Sequence, residues 1–399
     1  MEFFTLDDFD VSGKTVIVRV DINSPLDQKT LELLDTTRIE ACAPTLKELS
    51  ERKAKTVVIA HQGRPGDWDF VPLERHARAM SDALGKNVRY VDDIYGQKAK
   101  DAIKAMKPGE ILMLGNVRGY KEETAKKSAE ELSRCDMVRE LSAIADFFVN
   151  DAFAAAHRAQ ASLVGFPYVL PSMAGRLMER ELRTLGKVFE KPERPTLFFF
   201  GGAKFDDAIT MVKRLRERGI ADHIALVGMA GEAFLAAKGI DLGKTMELLK
   251  GDFEEAKKLL DDKILLPVDF AYAKNGKRAE VSVEDLPVDE IVYDIGQRSI
   301  DLFRGYIAKA RTIVVSGPAG KFEDAMFMKG TKDLFEAIVG SKAFSLAGGG
   351  HTTAALDELG LKDKFSYVST GGGALEAFML GDKLPAVDAL EYSHKRFKK

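Results

Sequence analysis

Residues Asp146–Pro171 read DFFVNDAFAAAHRAQASLVGFPYVLP. The short apolar run Phe147–Val149, bounded by polar residues, predicts a buried strand of a parallel sheet. It stops at Asn150 and Asp151 and releases a small-residue loop carrying His157 and Arg158. Pro167 and Pro171 follow and predict the end of a domain. A polar loop at the carboxyl end of a buried strand, beside a domain boundary, is where α/β proteins seat ligands. A solvated surface loop is the plainer reading of the same residues.

Outward from this stretch, strand and helix patterns alternate. Toward the N-terminus the predicted strands are Thr15–Val20, Thr56–Ala60, Asn87–Val91 and Ile111–Leu114. Between them lie helical patterns over Thr37–Ala54 (interrupted or restarted at Pro44), Leu73–Leu84 and Gln97–Met106, and a long one over Ser128–Ala145. Strands joined by helical crossovers imply a parallel sheet covered on both faces. Beyond Pro171, Met173–Leu185 has apolar residues at helical spacing and reads as a linker helix. A second alternating series follows EKPERP, with strands at Thr196–Phe200, Ile224–Val227, Ile264–Val268, Ala279–Val283, Thr312–Val315, Phe344–Leu346 and Tyr367–Ser369.

Composition bounds the answer. At 399 residues the chain exceeds one ordinary core, and about 150 residues per domain predicts two or three. The 59 basic and 62 acidic side chains leave a net charge of -3, which gives no overall attraction for nucleic acid or membrane; any anion site has to be local. Cys42 and Cys135 are the only cysteines and form no CxxC pair, which suits a reducing compartment. MEFFTLDDFD has neither a basic n-region nor an apolar h-region, and no apolar run approaches the roughly 20 residues of a membrane span. A soluble cytoplasmic protein is expected, a monomer with a dimer left open.

Five predicted strands of the second series end in glycines: GGAKF, GMAGEAF, SGPAGKFE, AGGGHTT and STGGGAL. One such end is an ordinary turn; five at one sheet edge predict a phosphate-binding rim of backbone N–H groups. In the first series Arg38, His61, Arg64, Arg118 and Arg158 all stand at loop ends, predicting a basic pocket for a small, doubly anionic ligand. Asp21 and Asn23, at the end of the first strand, suit hydroxyl groups. GIDLGKT falls one residue short of a Walker loop, and SGKT at Ser12–Thr15 lacks its upstream glycine. The dinucleotide pattern GxGxxG fails at Thr353 and at Glu376, which disfavours a nicotinamide oxidoreductase. No HExxH, cysteine–histidine cluster or GxSxG is present; no protein metal ligands are expected. An anion pocket, a nucleotide rim and no obvious base together point to phosphoryl transfer by positioning and charge.

The ordered motifs VRVDINSP, TTRIEACAPTLKEL, HQGRP, NVRGYKEE, NDAFAAAHRAQAS, GGAKFDD, LLPVDF, SGPAGKFE, GGGHT and STGGGALEAF span nearly the whole chain. In that order they resemble phosphoglycerate kinases, and the departures below look like the archaeal branch. The resemblance implies two Rossmann-like three-layer α/β domains with parallel sheets, joined by a hinge. It puts a 3-phosphoglycerate-binding domain at residues 1–170, a linker helix at 171–187, a Mg-nucleotide-binding domain at 188–383 and a returning tail at 384–399. It implies Asp21, Asn23, Arg38, His61, Arg64, Arg118 and Arg158 as contacts of 3-phosphoglycerate or 1,3-bisphosphoglycerate. It implies Lys204, Gly228, Gly296, Glu323, Gly349, Gly350, His351, Thr352, Gly371, Gly372 and Gly373 as contacts of ATP or ADP, with Mg2+ carried on the nucleotide. Arg38 and Lys204 would meet the moving phosphoryl group. His351 stands where many members have Asp, Ala208 where many have a phosphate-binding lysine, Gln160 in place of a second histidine, and Ser316 in place of an asparagine. An anion-binding protein that kept the cleft without catalysis is the non-enzymatic alternative, resting on His351 and Ala208.

Overall fold

The computed structural model describes residues 1–202 and 205–398. They form two units, Met1–Arg183 with Lys383–Lys399, and Thr184–Asp382.

The first unit is built on a seven-stranded sheet. Its strands are β1 (Phe4–Thr5), β2 (Thr15–Val20), β3 (Lys55–Ile59), β4 (Val88–Tyr90), β5 (Ile111–Met113), β6 (Phe147–Asp151) and β7 (Ser172–Ala174). Their order is β1-β7-β6-β2-β3-β5-β4, and every pair is parallel. The crossovers carry α1 (Thr37–Glu51), α2 (Glu74–Leu84), α3 (Gln97–Lys104), α4 (Ala129–Leu132), α5 (Asp136–Ser142) and α6 (Ala161–Val164). Helix α1 runs through Pro44 unbroken, because its buried face, Ile39, Cys42, Leu46 and Leu49, continues on both sides of the proline. The single helix expected over Ser128–Ala145 is instead α4 and α5. A Ser128–Glu131 capping box opens α4, and Cys135, with extended backbone, separates the two.

The expected linker helix also begins later. Ser172–Ala174 pairs with β6, and α7 spans Arg176–Leu185. The carboxylate of Asp151, at the end of β6, accepts from Leu177 N (2.9 Å) and Met178 N (3.1 Å) and so caps α7. At Gly175 a Cβ would stand 2.3 Å from that carboxylate, so the turn into α7 requires glycine. Apolar spacing alone does not register this cap.

The second unit has two sheets, formed by β8 (Thr196–Phe200), β9 (His223–Leu226), β10 (Ile264–Leu265), β11 (Asp269–Lys274), β12 (Lys277–Ser282), β13 (Val292–Ile295), β14 (Thr312–Ser316), β15 (Phe344–Gly348) and β16 (Tyr367–Val368). The larger sheet is parallel in the order β10-β9-β8-β14-β15-β16. Its helices are α8 (Phe205–Arg218), α9 (Gly228–Ala237), α10 (Phe253–Lys258), α11 (Gln297–Ile307), α12 (Lys329–Val339), α13 (Gly350–Glu358) and α14 (Gly372–Met379). Leu197, Phe199, Ile313 and Val315 pack against Ile300, Phe303, Leu334 and Phe335 in its core. The strand expected at Ala279–Val283 does not join the parallel sheet. It is β12, in a separate antiparallel sheet ordered β12-β11-β13. The hairpin turns at Asn275-Gly276, both with positive φ (52° and 72°), which is the Asn-Gly signature of a tight two-residue turn.

The chain ends in α15 (Pro385–Phe397), part of the first unit. Tyr392 stacks on Tyr168 with ring centroids 4.0 Å apart, and Ser393 Oγ accepts from Ser172 N (2.9 Å).

Candidate active site

In the first unit, β2 lies between β6 and β3, so the loops leaving these strands meet where the chain direction across the sheet reverses, the usual ligand crevice of such sheets. Asp21 follows β2. Its Oδ1 accepts from Arg38 Nη1 (3.1 Å) and from Asn23 N (3.1 Å). Burial alone would lift this carboxyl, but the guanidinium groups of Arg38 and Arg19 beside it hold it below its usual value. Asn23 Oδ1 accepts from Gly63 N (2.9 Å), tying the HQGRPGD loop after β3 to the end of β2. Beneath it, the side-chain amide of buried Gln62 pairs with the backbone of Ser24. Its Oε1 accepts from Ser24 N (2.9 Å) and its Nε2 donates to Ser24 O (3.0 Å), while Asn116 Nδ2 donates to the Gln62 backbone carbonyl (2.7 Å).

Arg118, on the loop after β5, donates to Gly63 O. Its guanidinium is pulled down to about 10, first by burial and then by Arg158, Arg19 and Arg64. The cations beside it come from β2, the loop after β3 and the loop after β6. Arg158 Nε lies 3.3 Å from His157 Nε2. His61, almost wholly buried, is held well below the usual histidine range by burial and by Arg19, with Arg118 and Arg158 adding to the effect. Arg64 is exposed and Arg38 partly so. All seven side chains expected here therefore stand at the carboxyl edge of one sheet. Anionic oxygens suit such a place.

Sequence reading missed Arg19, Ser162 and Glu123, which lie fully buried beneath these residues. Arg19 sits inside TVIVRV, and the apolar pattern absorbs it. The available signal was the charge itself, since a strand buried on both faces seldom carries an arginine unless it is paired.

In the second unit, parallel pairing brings the glycine-rich ends of β8, β9, β14, β15 and β16 to one edge. The loops after β8 and β14 touch through their backbones: a Cβ on Gly201 would lie 2.0 Å from Pro318 O, and one on Gly317 2.3 Å from Gly201 O. Only glycines permit that approach. Thr352 Oγ1 accepts from Gly317 N (2.7 Å), joining the β14 loop to α13. A cleft of ≈ 420 Å³ opens here, with Gly201, Gly317, Gly349, Gly350, His351 and Thr352 on its wall. Helices α9, α13 and α14 all start from these loops, and helix N-termini favour phosphate.

Of the other nucleotide contacts expected, Gly228 approaches Gly202 and Pro318, and Gly372 approaches Gly349; Gly371 is the N-cap of α14 and Gly373 lies in its first turn. Gly296 precedes α11, where a Cβ would strike the Asp269 carboxylate that caps this helix through Arg298 N (2.9 Å) and Ser299 N (2.8 Å). Glu323 is exposed on the loop after β14, whose Lys321 N donates to Tyr293 O (2.8 Å) on neighbouring β13. Lys204 lies outside the described residues. Phe200, Asp207, Met211 and Glu376 also line the cleft, beside Ala208 and Ser316. Sequence reading did not gather them: Phe200 and Met211 look like core, and Glu376 enters it only by breaking a dinucleotide pattern.

Among the described residues no group of three or more His, Cys, Asp or Glu is placed to hold a metal. A Mg2+ ion held chiefly by phosphates and water does not need one, and the carboxylates of Asp207 and Glu376 on the cleft wall could meet its hydration shell. No helix is long and apolar enough to cross a membrane among these residues.

The family profile described as phosphoglycerate kinase matches residues 6–382. The chain is similar to the phosphoglycerate kinase of Methanothermus fervidus, 46% identical over 100% of this chain and 99% of that protein. It is also similar to that of Sulfurisphaera tokodaii, 41% identical over 97% and 95%. Among solved structures, phosphoglycerate kinase from Pyrococcus horikoshii OT3 superposes with a TM-score of 0.87 at 38% identity, covering 99% of this chain and 100% of that one. The enzyme from Coxiella burnetii superposes with a TM-score of 0.88 at 31% identity, covering 100% of both.

Proposed function

This chain belongs to the phosphoglycerate kinase family, and on that premise we propose how its residues share out the reversible reaction of 1,3-bisphosphoglycerate and ADP to 3-phosphoglycerate and ATP. The first unit takes the phosphoglycerate. Arg64, Arg118 and Arg158 face its phosphate, with His61 beside them, while Asp21 and Asn23 hold its hydroxyl. The second unit takes the nucleotide, its phosphates against the glycine loops and the N-termini of α9, α13 and α14. Mg2+ comes with the nucleotide and neutralises phosphate charge.

In the ATP-consuming direction the attacking group is a carboxylate, ionised at pH 7, so no general base is needed. The transferred phosphoryl group requires positive charge and N–H donors around its equatorial oxygens, with water excluded. Arg38 and Lys204 supply that charge. Arg38 spends one N–H on Asp21 and has others to offer. Substrates bound on separate units have to be brought together, so turnover includes closure at the hinge. The cytoplasm, where such a metabolite exchange operates, is its proposed location.

The observation that carries this reading is the basic cluster at the carboxyl edge of the first sheet, where Arg118 is fixed on Gly63 O and Arg38 on the Asp21 carboxylate. Formation of ADP from ATP on addition of 3-phosphoglycerate, coupled to glyceraldehyde-3-phosphate dehydrogenase, tests it. Activity no greater than that of a Lys204→Ala control would sink it.

A further inference from the structure

Beneath the basic cluster lies a second layer of charge that none of the roles above uses. Arg19, near the carboxyl end of β2, is wholly buried. Its Nε donates to Ser162 Oγ (2.8 Å), one Nη donates to Val20 O, and Nη2 lies 2.9 Å from His61 Nδ1. Ser162, at the start of α6, presents both its groups to Glu123, Oγ at 2.7 Å and N at 2.8 Å. Glu123 too is wholly buried. Four strand-end segments are thereby joined, those carrying Arg19, His61, Glu123 and Ser162.

The directions of these bonds are forced. A guanidinium has no lone pair and does not lose its proton, so each atom it touches must accept. Ser162 Oγ accepts from Arg19, hence its own proton goes to Glu123. His61 Nδ1 likewise accepts, hence the ring proton sits on Nε2. An imidazolium has no acceptor and cannot occupy this place.

We propose that Arg19, anchored through Ser162 on Glu123, holds His61 as the neutral tautomer protonated at Nε2, making all three positioning residues for the first unit's anion site. His61 then offers one fixed N–H whose character is constant through the physiological pH range. The charged groups around it come from several segments: Arg19 from β2, Asp21 just after it, Arg118 from the loop after β5, and Arg158 from the loop after β6. That the bound anion is phosphoglycerate rests on the function proposed above; the tautomer does not.

Long-range 1H–15N correlation of the histidine side chains in the free, unmodified protein tests the tautomer directly. With six histidines in the chain, comparison with His61→Gln assigns the signal. The expected pattern is a protonated Nε2 and a bare Nδ1, unchanged from pH 8 to pH 5.5. A proton on Nδ1, or a doubly protonated ring by pH 6, overturns the proposal.

Removing Arg19 alone strands a buried carboxylate, so the informative variant is Arg19→Met with Glu123→Gln, which removes both charges together. In it His61 should begin to titrate between pH 5 and 7. KM for 3-phosphoglycerate should rise about tenfold at pH 7.5, the scale of one hydrogen bond to a charged group, and fall again below pH 6 as the ring protonates. kcat should change less than threefold. A double variant that folds but whose His61 stays silent across that range overturns the proposal as well. If the expected spectrum is found without turnover, the function is refuted and the tautomer stands.

Discussion

Arg38 illustrates what a single cation is asked to do. Held by one carboxylate oxygen of Asp21, it can swing its remaining donors without losing its anchor. Arg38→Ala should lower kcat by about 10²–10³-fold, the scale of removing one preorganised donor from a charged transition state. Its nucleotide Kd should stay within about twofold; an unchanged kcat would refute the role. Glu232 is a different kind of residue. Buried in α9, its carboxyl is lifted to about 8 by desolvation. Between pH 4.5 and 8 the folded chain holds a proton that the unfolded chain has released, so this group's contribution falls as pH rises through that window. Glu232→Gln, neutral and of the same shape, should therefore stabilise the second unit by a few kcal/mol at pH 8.5 and much less at pH 5. Melting curves at the two pH values would show it, and equal gains at both would refute it. His76 runs the other way. Burial lowers it to about 4, with Nε2 on Gln62 Oε1 at 3.0 Å and Nδ1 unpartnered among the described residues. The unfolded chain takes up this proton first, so stability is full above about 6.5 and is lost as pH falls toward 4. His76→Met should flatten the acid side of the stability curve; a variant as acid-sensitive as the parent would count against it.

At the scale of elements, the strands with β-branched runs and polar ends were legible, and so was the edge at which their loops gather. Three features were not. The break between α4 and α5 depends on a capping box that apolar spacing ignores. Strand β7 pairs over three residues inside what scans as a helical stretch. The β11–β12 hairpin was missed although Asn275-Gly276 signals it, because a search for parallel crossovers does not look for tight turns. In the candidate site, residues at loop ends could be read from the chain, whereas Arg19, Glu123 and Ser162 could not, since their purpose appears only when distant strands meet. The contact between the β8 and β14 loops is similar: each glycine scans as a turn, and only the fold shows two backbones in touch. Gly201→Ala should cost about 1–3 kcal/mol through overpacking and weaken nucleotide binding at least tenfold. Gly305→Ala is the control. Gly305 lies inside α11, where an added Cβ would meet nothing within 4 Å, so this change should be neutral or mildly stabilising. If Gly201→Ala bound nucleotide as tightly as Gly305→Ala, the close approach would not matter.

At the scale of the whole molecule, the first unit is discontinuous and the second is not. The first is completed by α15, whose Leu390 is fully buried. Leu390→Ala should cost about 2–5 kcal/mol and lower amide protection in β6 and β7 while leaving β14 and β15 unchanged. Equal loss across both sheets would contradict that. Two parallel sheets with a ligand edge on each follow from alternating apolar runs, but the membership of the last helix does not. Its apolar face marks it as packed without naming its partner.

That discontinuity bears on biosynthesis. Domains emerging from the ribosome tend to fold as units, N-terminal first. Here the second unit is complete once Asp382 has emerged, while the first still waits for the final helix. The half made earliest is thus finished last, and edge strand β1 and its neighbour β7 stay incompletely covered for most of translation. Any nascent-chain chaperone acting on this protein would meet its longest task at the N-terminal half, and loss of α15 would spoil strands β1 and β7, far away in sequence.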